Sequence, residues 1–384
     1  MDRDTPEAEV AALVDGVRRD PGRRDELVEL LPERIPLYSG RGANAVVRLR
    51  GYVLAAFEQV GLPPAAVPYV LDELQNGRDA YLVAAAAMAL RRLDQPTAEA
   101  VPYLLKAIEN VKYRDDAVTF ETYRPSWPAS SSTTAMAEIL TTFAWLGGEA
   151  RSAAPALEAL AAADGALPAP TRATLEAVLA AMRVPDVPSC CHAEVRFGAP
   201  VVRLAPARAR RPDAALPAGV PLEDQDGLAV ASDEFFRGRP SVVVFFYTRC
   251  DNPNKCSLTI AKLGELQRAL LAEGLGGRVR TAAITYDPAF DLPARLRAYG
   301  ENRGVTFGED YRFFRATSGF DGLQEFFELG VNYGPALVNR HRIELFVLDG
   351  DGRIAATFAR LQWDPAEVLA EARVLVGVGV AGPG

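Results

Sequence analysis

Cysteine and histidine are scarce in this chain. Its 384 residues include four cysteines and two histidines. Four cysteines are too few for a disulfide scaffold in a chain of this length, and in a reducing compartment such cysteines are more often catalytic or metal-binding. Each cysteine and each histidine is therefore a candidate functional residue.

Long apolar runs are lacking as well. The longest purely apolar stretches, such as residues 82–90, are much shorter than the roughly 20 residues that span a bilayer. The N-terminal residues MDRDTPE lack the basic flank and the apolar stretch of a signal peptide. These absences predict a cytoplasmic protein with no membrane insertion.

An excess of positive charge is also missing. The formal net charge is −8 and the isoelectric point is near 5.1, whereas nucleic-acid-binding domains concentrate positive charge on one face. We therefore expect no nucleic-acid partner. The 49% hydrophobic and 24% charged residues are typical of a globular chain, and the length predicts two domains.

Residues 1–183 carry a helical pattern with a weak internal repeat. Their apolar residues recur three and four positions apart, and no convincing strand is visible. The repeated motifs are VPYVL at 67–71, VPYLL at 101–105 and APAL at 154–157. The first two begin 34 residues apart, and a polar, Ser-rich insertion at 112–133 accounts for the longer second gap. This period is typical of stacked helical repeats, and the pattern is similar to HEAT repeats.

Residues 184–216 are rich in Pro, Arg and Ala. We place a linker here, between a helical-repeat domain at 1–183 and a second domain at 217–384. The linker holds the run Cys190-Cys191-His192, which is not a haem attachment sequence because that needs two residues between the cysteines. These side chains are either unpaired linker residues or soft donors lent to a metal site.

The second domain mixes strands and helices. Its apolar runs predict a strand at 241–247, a helix from Leu258 to near Gly274, strands at 278–286, 343–348 and 354–358, and a helix at 364–374. The first strand–helix–strand unit implies a right-handed parallel crossover, and the last two strands form a hairpin around Asp349-Gly350-Asp351-Gly352. This order is the thioredoxin arrangement. The predicted fold is therefore multidomain, with an all-α helical repeat followed by an α/β thioredoxin-like domain.

Two cysteines mark the start of the first helix of this domain. Cys250 follows the first strand and Cys256 precedes the helix, where unpaired N–H groups, the helix dipole and Lys255 favour thiolate over thiol. In the thioredoxin arrangement the loop before the hairpin faces this helix end, which brings His341 toward both cysteines. Two thiolates and a neutral imidazole suit copper(I), although the same cysteines could also form a redox-active disulfide.

Several segments, in order, resemble the Sco/SenC copper-chaperone family. They are PLEDQDG at 221–227, FFYTRC at 245–250 followed by Cys256-Ser257, YDPAFD at 286–291, and His341 with its spacing to Asp349 and Gly352. The resemblance covers roughly residues 217 to 376. The chain departs from the family in two respects. Five residues separate Cys250 from Cys256 where the family usually has three, and the usual membrane anchor and export signal are missing.

The resemblance implies a function and a ligand set. Sco proteins have a thioredoxin fold, bind copper through two cysteines and a histidine, and deliver it to the copper site of cytochrome oxidase. By this resemblance Cys250, Cys256 and His341 are ligands of copper, as Cu(I) or Cu(II). The chain would then be a copper-binding metallochaperone whose copper-receiving partner docks on the helical-repeat domain. The oxidase itself is not carried over as the recipient, because the anchor is missing.

Two other functions stay open. In a thiol-disulfide oxidoreductase Cys250 and Cys256 are catalytic: one attacks, the other resolves the mixed disulfide, and His341 tunes the pair or relays protons. In an interaction scaffold the helical repeat carries the function and the second domain has lost its chemistry. Asp287 and Asp291 are either turn and helix-cap residues or have a role near the metal.

Overall fold

The computed structural model describes residues 1–126, 129–163, 167–183, 204, 209–335 and 337–377. The chain divides into two compact units, Met1–Pro206, called here the helical unit, and Ala207–Gly384, called the sheet unit. The run Cys190-Cys191-His192 lies outside the described residues. The domain limits at residues 183 and 217 stay a prediction.

The helical unit contains nine α-helices within its described residues. They are α1 (Glu7–Arg19), α2 (Asp25–Val28), α3 (Ala43–Val60), α4 (Val67–Asn76), α5 (Ala80–Leu90), α6 (Val101–Val111), α7 (Ala135–Leu146), α8 (Ala154–Ala162) and α9 (Ala169–Arg183). Helix α5 packs against both α3 and α7, α7 packs against α9, and α4 packs against α6. The odd-numbered helices from α3 to α9 therefore form one row, and α4 and α6 lie side by side in a second.

The repeated prolines open helices as the sequence predicts. Pro68, Pro102 and Pro155 are each the second residue of their helices, α4, α6 and α8. Proline fits there because the first N–H groups of a helix have no intrahelical partner to lose. The described residues of the predicted insertion are also non-helical, since α6 ends at Val111 and α7 begins at Ala135. The helical character of this half is confirmed, and its HEAT-like identity stays a prediction.

A buried ion cluster lies in the core of the helical unit. Arg50 of α3 is fully buried, and its guanidinium lies 3.1 Å from the carboxylate of Glu33 and 3.7 Å from that of Glu73. It also donates a hydrogen bond to the carbonyl of Leu31. Both carboxylates are 1% exposed, so Arg50 brings its positive charge close to two buried negative charges.

Removing this cation should destabilise the helical unit strongly. We expect Arg50→Met to lower the free energy of unfolding by about 3–5 kcal/mol, because it removes a buried cation that pairs with two buried carboxylates. Urea unfolding of the full chain, followed by circular dichroism at the helix band, measures the change. The control is Arg23→Met, which removes the exposed Arg23–Glu26 pair and should leave the midpoint unchanged. Equal midpoints for both variants would contradict the prediction.

The sheet unit contains ten strands within its described residues. They are β1 (Ala209–Ala215), β2 (Pro221–Asp224), β3 (Ala229–Ala231), β4 (Ser241–Phe246), β5 (Arg280–Thr285), β6 (Tyr311–Ala316), β7 (Val331–Tyr333), β8 (Val338–His341), β9 (Glu344–Leu348) and β10 (Arg353–Ala359). Eight of them form one mixed sheet in the order β1-β10-β9-β4-β5-β6-β2-β3, and β7 and β8 form a separate hairpin. Strands β4, β5 and β6 are parallel, whereas β9 and β10 run antiparallel.

Five helices accompany these strands. They are α10 (Ser232–Phe236), α11 (Leu258–Ala272), α12 (Pro293–Glu301), α13 (Phe320–Phe327) and α14 (Pro365–Leu375). Every residue of the central strand β4 is buried, because β5 and β9 flank it and helices cover the sheet. Helix α11 packs against β4, β5 and α14. The start of α11 therefore lies where β4 ends.

This architecture confirms the thioredoxin-like prediction for the second domain. The predicted β-α-β unit is β4-α11-β5, and the predicted hairpin and last helix are β9, β10 and α14. The structure adds β1, which falls in residues assigned to the linker and pairs antiparallel with β10. It also adds β6 and the β7–β8 hairpin. These segments are short or polar, so their sequences show little of the pattern that predicts a strand.

None of the helices that the structure describes is both long enough and apolar enough to cross a membrane. The cytoplasmic location stays a prediction.

Candidate metal centre

Cys250 precedes a wide helical turn, and Cys256 lies within it. Strand β4 ends at Phe246, Cys250 follows it in a half-buried position, and Cys256 is 1% exposed. Residues Pro253–Ser257 form a π-type turn that runs directly into α11. Asn252 caps this turn, because its side-chain oxygen accepts a hydrogen bond from a backbone N–H at 3.0 Å. The five residues between the cysteines are thus an ordered turn that places Cys256 at the start of α11.

His341 approaches both cysteines from the β7–β8 hairpin. It is the last residue of β8, pairs with Val331 of β7, and is 5% exposed. Its Nε2 atom lies 3.5 Å from Sγ of Cys250 and 3.4 Å from Sγ of Cys256. The three ligand atoms lie within 4.8 Å of one another. The structure therefore brings together the three side chains that the sequence analysis selected.

The hydrogen bonding of His341 directs its Nε2 atom toward the two sulfur atoms. Its Nδ1 atom lies 3.0 Å from the backbone carbonyl of Arg342. A carbonyl oxygen can only accept a hydrogen bond, so Nδ1 carries a proton, and Nε2 is the ring nitrogen whose lone pair a bound metal would take. A histidine metal ligand commonly has its other ring nitrogen bonded in this way.

Two tyrosines hold the imidazole ring in place. The ring of Tyr247 meets it edge to face at 5.4 Å, and the ring of Tyr286 lies at the same centroid distance with an interplanar angle of 43°. The Tyr286 hydroxyl donates to Glu344 at 2.5 Å, and Glu344 also accepts from Arg342 at 2.6 Å. Sequence reasoning missed Tyr286 and Glu344 as supports of the site. Glu344 at the start of the apolar strand β9 could have indicated a buried carboxylate with polar partners.

The two thiols differ in acidity. The Cys256 thiol donates a hydrogen bond that, with His341, lowers the pKa of Cys250 well below its ordinary value. Burial raises the pKa of Cys256, and the neighbouring Cys250 raises it further. The metal-free pair therefore shares one proton, with the thiolate on Cys250. A metal that binds both sulfurs displaces the remaining proton.

This acidity predicts the pH dependence of Cys250 alkylation. In the reduced, metal-free Cys190→Ser/Cys191→Ser chain, the rate with iodoacetamide should change less than about twofold between pH 6 and 8, whereas an ordinary thiol of pKa about 8.5 gains roughly seventyfold. Cys256→Ala in the same background removes the main hydrogen bond and should restore part of the slope. A full, ordinary slope with Cys256 present would contradict the assignment.

Asp287 and Asp291 support the segment that leads to Cys250. Asp291 is buried and accepts hydrogen bonds from the backbone N–H of Thr248 at 3.1 Å and from the hydroxyl of Thr285 at 2.5 Å. Burial raises its pKa, and these bonds partly offset the effect. Arg249 forms an ion pair with Asp287. Both carboxylates therefore hold the residues just before Cys250, and Asp291 caps no helix, since Leu292 is the N-cap of α12.

Part of the chain is similar to a known protein family. Residues 220–377, about two fifths of the chain, match the model of the SCO1/SenC family. No curated protein matches the chain. Among solved structures, BsSco, described as a member of the Sco family of cytochrome c oxidase assembly proteins, is 17% identical. The match covers 45% of this chain and 100% of BsSco, with a TM-score of 0.38.

Two further solved structures contain copper. Copper-bound ScoI of Bradyrhizobium japonicum is 22% identical, and the match covers 42% of this chain and 99% of that one, with a TM-score of 0.36. Copper-bound yeast Sco1 is 23% identical, and the match covers 44% of this chain and 95% of that one, with a TM-score of 0.33. The family match over residues 220–377 confirms the resemblance drawn from the motifs: this part of the sheet unit is similar to the SCO1/SenC family.

Proposed function

We propose that this protein is a copper metallochaperone. It holds one copper ion through Cys250, Cys256 and His341 and delivers it to a protein partner. The observation that carries the proposal is the convergence of two sulfur atoms and one imidazole nitrogen within 4.8 Å. Two further points support it. The donors are of the type that binds copper, and residues 220–377 match the SCO1/SenC family, whose resemblance implies a copper chaperone.

The donor set suits Cu(I). Thiolates are soft ligands that bind Cu(I) as well as zinc, and structural zinc sites have four ligands in a tetrahedron. Within the part of the chain that the structure describes, the group of Cys250, Cys256 and His341 contains no fourth histidine, cysteine or carboxylate ligand. Three donors suit an ion that accepts low coordination numbers.

Transfer would proceed by ligand exchange. Cys250 is the more exposed of the two cysteines, so an incoming donor of the partner first replaces Cys250 on the ion. Cys256 and His341 then leave in turn, and Cys256 regains the proton that metal binding displaced. The copper keeps its oxidation state throughout, so no electron donor or acceptor is needed.

Anaerobic titration of the reduced protein with Cu(I), against a chromogenic chelator, tests the proposal. Binding of one equivalent, retained in the Cys190→Ser/Cys191→Ser chain, is the expected result. The doubly substituted chain separates the folded site from the linker thiols. Absence of binding at one equivalent in both proteins would overturn the proposal.

A thiol-disulfide oxidoreductase is the second candidate, favoured by the unequal acidity of the two thiols. The Cys250 thiolate would attack a substrate disulfide and release one thiolate. Cys256 would then lose its proton, attack Cys250 and release the second thiol, which leaves the protein oxidised. An external dithiol would return it to the reduced form. Loss of substrate-disulfide reduction in Cys250→Ser, in protein freed of metal, tests this function.

We also propose that the helical unit is a HEAT-like repeat that docks the copper-receiving partner. The side-by-side packing of α3, α5, α7 and α9 supports this proposal, because stacked repeats present an extended surface to partners.

The helical unit should fold without the sheet unit. A fragment of residues 1–183 is expected to show a helical circular dichroism spectrum and cooperative unfolding, because its helices bury their apolar residues against one another. Added Cu(I) should not change its midpoint, whereas Arg50→Met in the same fragment should lower it. A fragment without helical signal would contradict this expectation.

A further inference from the structure

A buried lysine lies beside the proposed copper ligands. Lys255 precedes Cys256 in the wide turn and is 7% exposed. Its Nζ atom donates a hydrogen bond of 2.9 Å to the backbone carbonyl of His341. One side chain thus connects the cysteine turn to the histidine strand. It also puts a positive charge at the boundary of the site.

The charge of the filled site depends on the ion. Two thiolates and a neutral imidazole carry a charge of −2, so a monovalent ion brings the site to −1 and a divalent ion brings it to zero. With the ammonium of Lys255 included, these totals become zero and +1. A net charge in a buried site is costly, and the cost is larger than at the surface because screening is weak.

Several other ionic groups near the site are paired with an opposite charge, hydrogen-bonded by neutral donors or exposed. Arg249 lies beside Asp287, and Arg342 lies beside Glu344. Asp291 is buried among the hydroxyl and N–H donors already described, and Asp251 is exposed to solvent. The net charge of the filled site therefore depends mainly on two charges, that of Lys255 and that of the bound ion.

We propose that Lys255 makes this site selective for a monovalent soft ion over a divalent one. The inference rests on the proposed copper-binding function. Lys255 repels a divalent ion twice as strongly as a monovalent ion at the same position. Both ions displace the same proton from Cys256, so the ratio of their affinities reports the charge of residue 255.

The hydrogen bond to the His341 carbonyl has a separable effect. It holds the histidine strand near the cysteine turn for any ion, so its loss should weaken monovalent and divalent binding equally. Selectivity between the two charges therefore distinguishes electrostatic control from simple positioning.

Four proteins test the inference: the full chain, Lys255→Met, Lys255→Arg and Lys262→Met. Lys262 is a matched control, because it is a half-buried lysine of α11 that donates to a backbone carbonyl, that of Trp363, at 2.7 Å. Anaerobic competition titrations give the affinities for Cu(I) and for Cd(II), a soft divalent ion that does not oxidise thiols. We expect Lys255→Met to lower the Cu(I)-to-Cd(II) affinity ratio at least about tenfold, and Lys255→Arg and Lys262→Met to keep it within about threefold.

Each outcome decides between the alternatives. An unchanged ratio in Lys255→Met, or equal loss of both affinities, overturns the selectivity role while copper binding by the full chain stands. Failure of the full chain to bind Cu(I) would instead overturn the proposed function. Lys255→Gln, which keeps an N–H donor and removes the charge, replaces Lys255→Met if circular dichroism shows that the latter is unfolded.

Discussion

Changing Cys256 to serine is expected to lower the affinity for Cu(I) at least a thousandfold, or by about 4 kcal/mol. Serine keeps the size of the side chain, so the turn and the start of α11 should stay folded. Its hydroxyl oxygen is a hard donor that stays protonated at neutral pH, whereas copper(I) binds thiolate. Because Cys256 is 1% exposed, no solvent ligand takes its place easily.

The linker cysteines provide the matched control for this substitution. Cys190→Ser/Cys191→Ser makes the same chemical change at cysteines that are not among the three proposed ligands, and should alter the Cu(I) affinity less than about threefold. Chelator competition under anaerobic conditions measures both proteins. A Cys256→Ser chain that binds Cu(I) within tenfold of the unchanged chain would contradict the three-ligand site.

Changing His341 to alanine is expected to weaken Cu(I) binding well over tenfold and to leave much of any disulfide reductase activity. The substitution removes Nε2, which lies 3.4 to 3.5 Å from the two sulfur atoms. Both thiolates remain, so the effect on copper should be smaller than that of losing Cys256. Reductase chemistry needs the two sulfurs, and His341 contributes there through the acidity of Cys250 alone.

The chain's other histidine gives the control for this prediction. His192→Ala should leave both copper affinity and disulfide reduction unchanged. Parallel Cu(I) titration and insulin-reduction assays of the two variants separate the chaperone from the oxidoreductase. Unchanged copper affinity in His341→Ala would contradict the three-ligand model. Complete loss of insulin reduction in that variant would show that the imidazole does more than tune the acidity of Cys250.

Local sequence patterns predicted the elements that carry strong periodicity. Strand β4 is a continuous apolar run because it is buried on both faces, and the prolines at the start of α4, α6 and α8 occupy positions where a missing N–H costs little. The three candidate ligands were also predictable, because thiols at a strand–helix junction and a lone histidine before a hairpin meet in a thioredoxin arrangement.

Other parts of the site depend on contacts that no local pattern encodes. Strand β1, with the sequence ARRPDAA, forms at the edge of the sheet by pairing with β10, so its residues look like a linker. The π-type turn that accommodates the five-residue cysteine spacing is set by Asn252 and by the non-helical backbone at Lys255. The bond from Lys255 to the His341 carbonyl joins residues 86 positions apart, a separation that sequence reasoning could not bridge.

The central claim is that one copper ion is held by two cysteines and one histidine. X-ray absorption at the copper edge of the Cu(I)-loaded Cys190→Ser/Cys191→Ser chain tests it most directly, because the linker thiols cannot contribute there. The account predicts two sulfur scatterers and one imidazole nitrogen around copper, and loss of the imidazole signal in the same chain with His341→Ala. A first shell of sulfur alone, or an imidazole signal unaffected by that substitution, would contradict it.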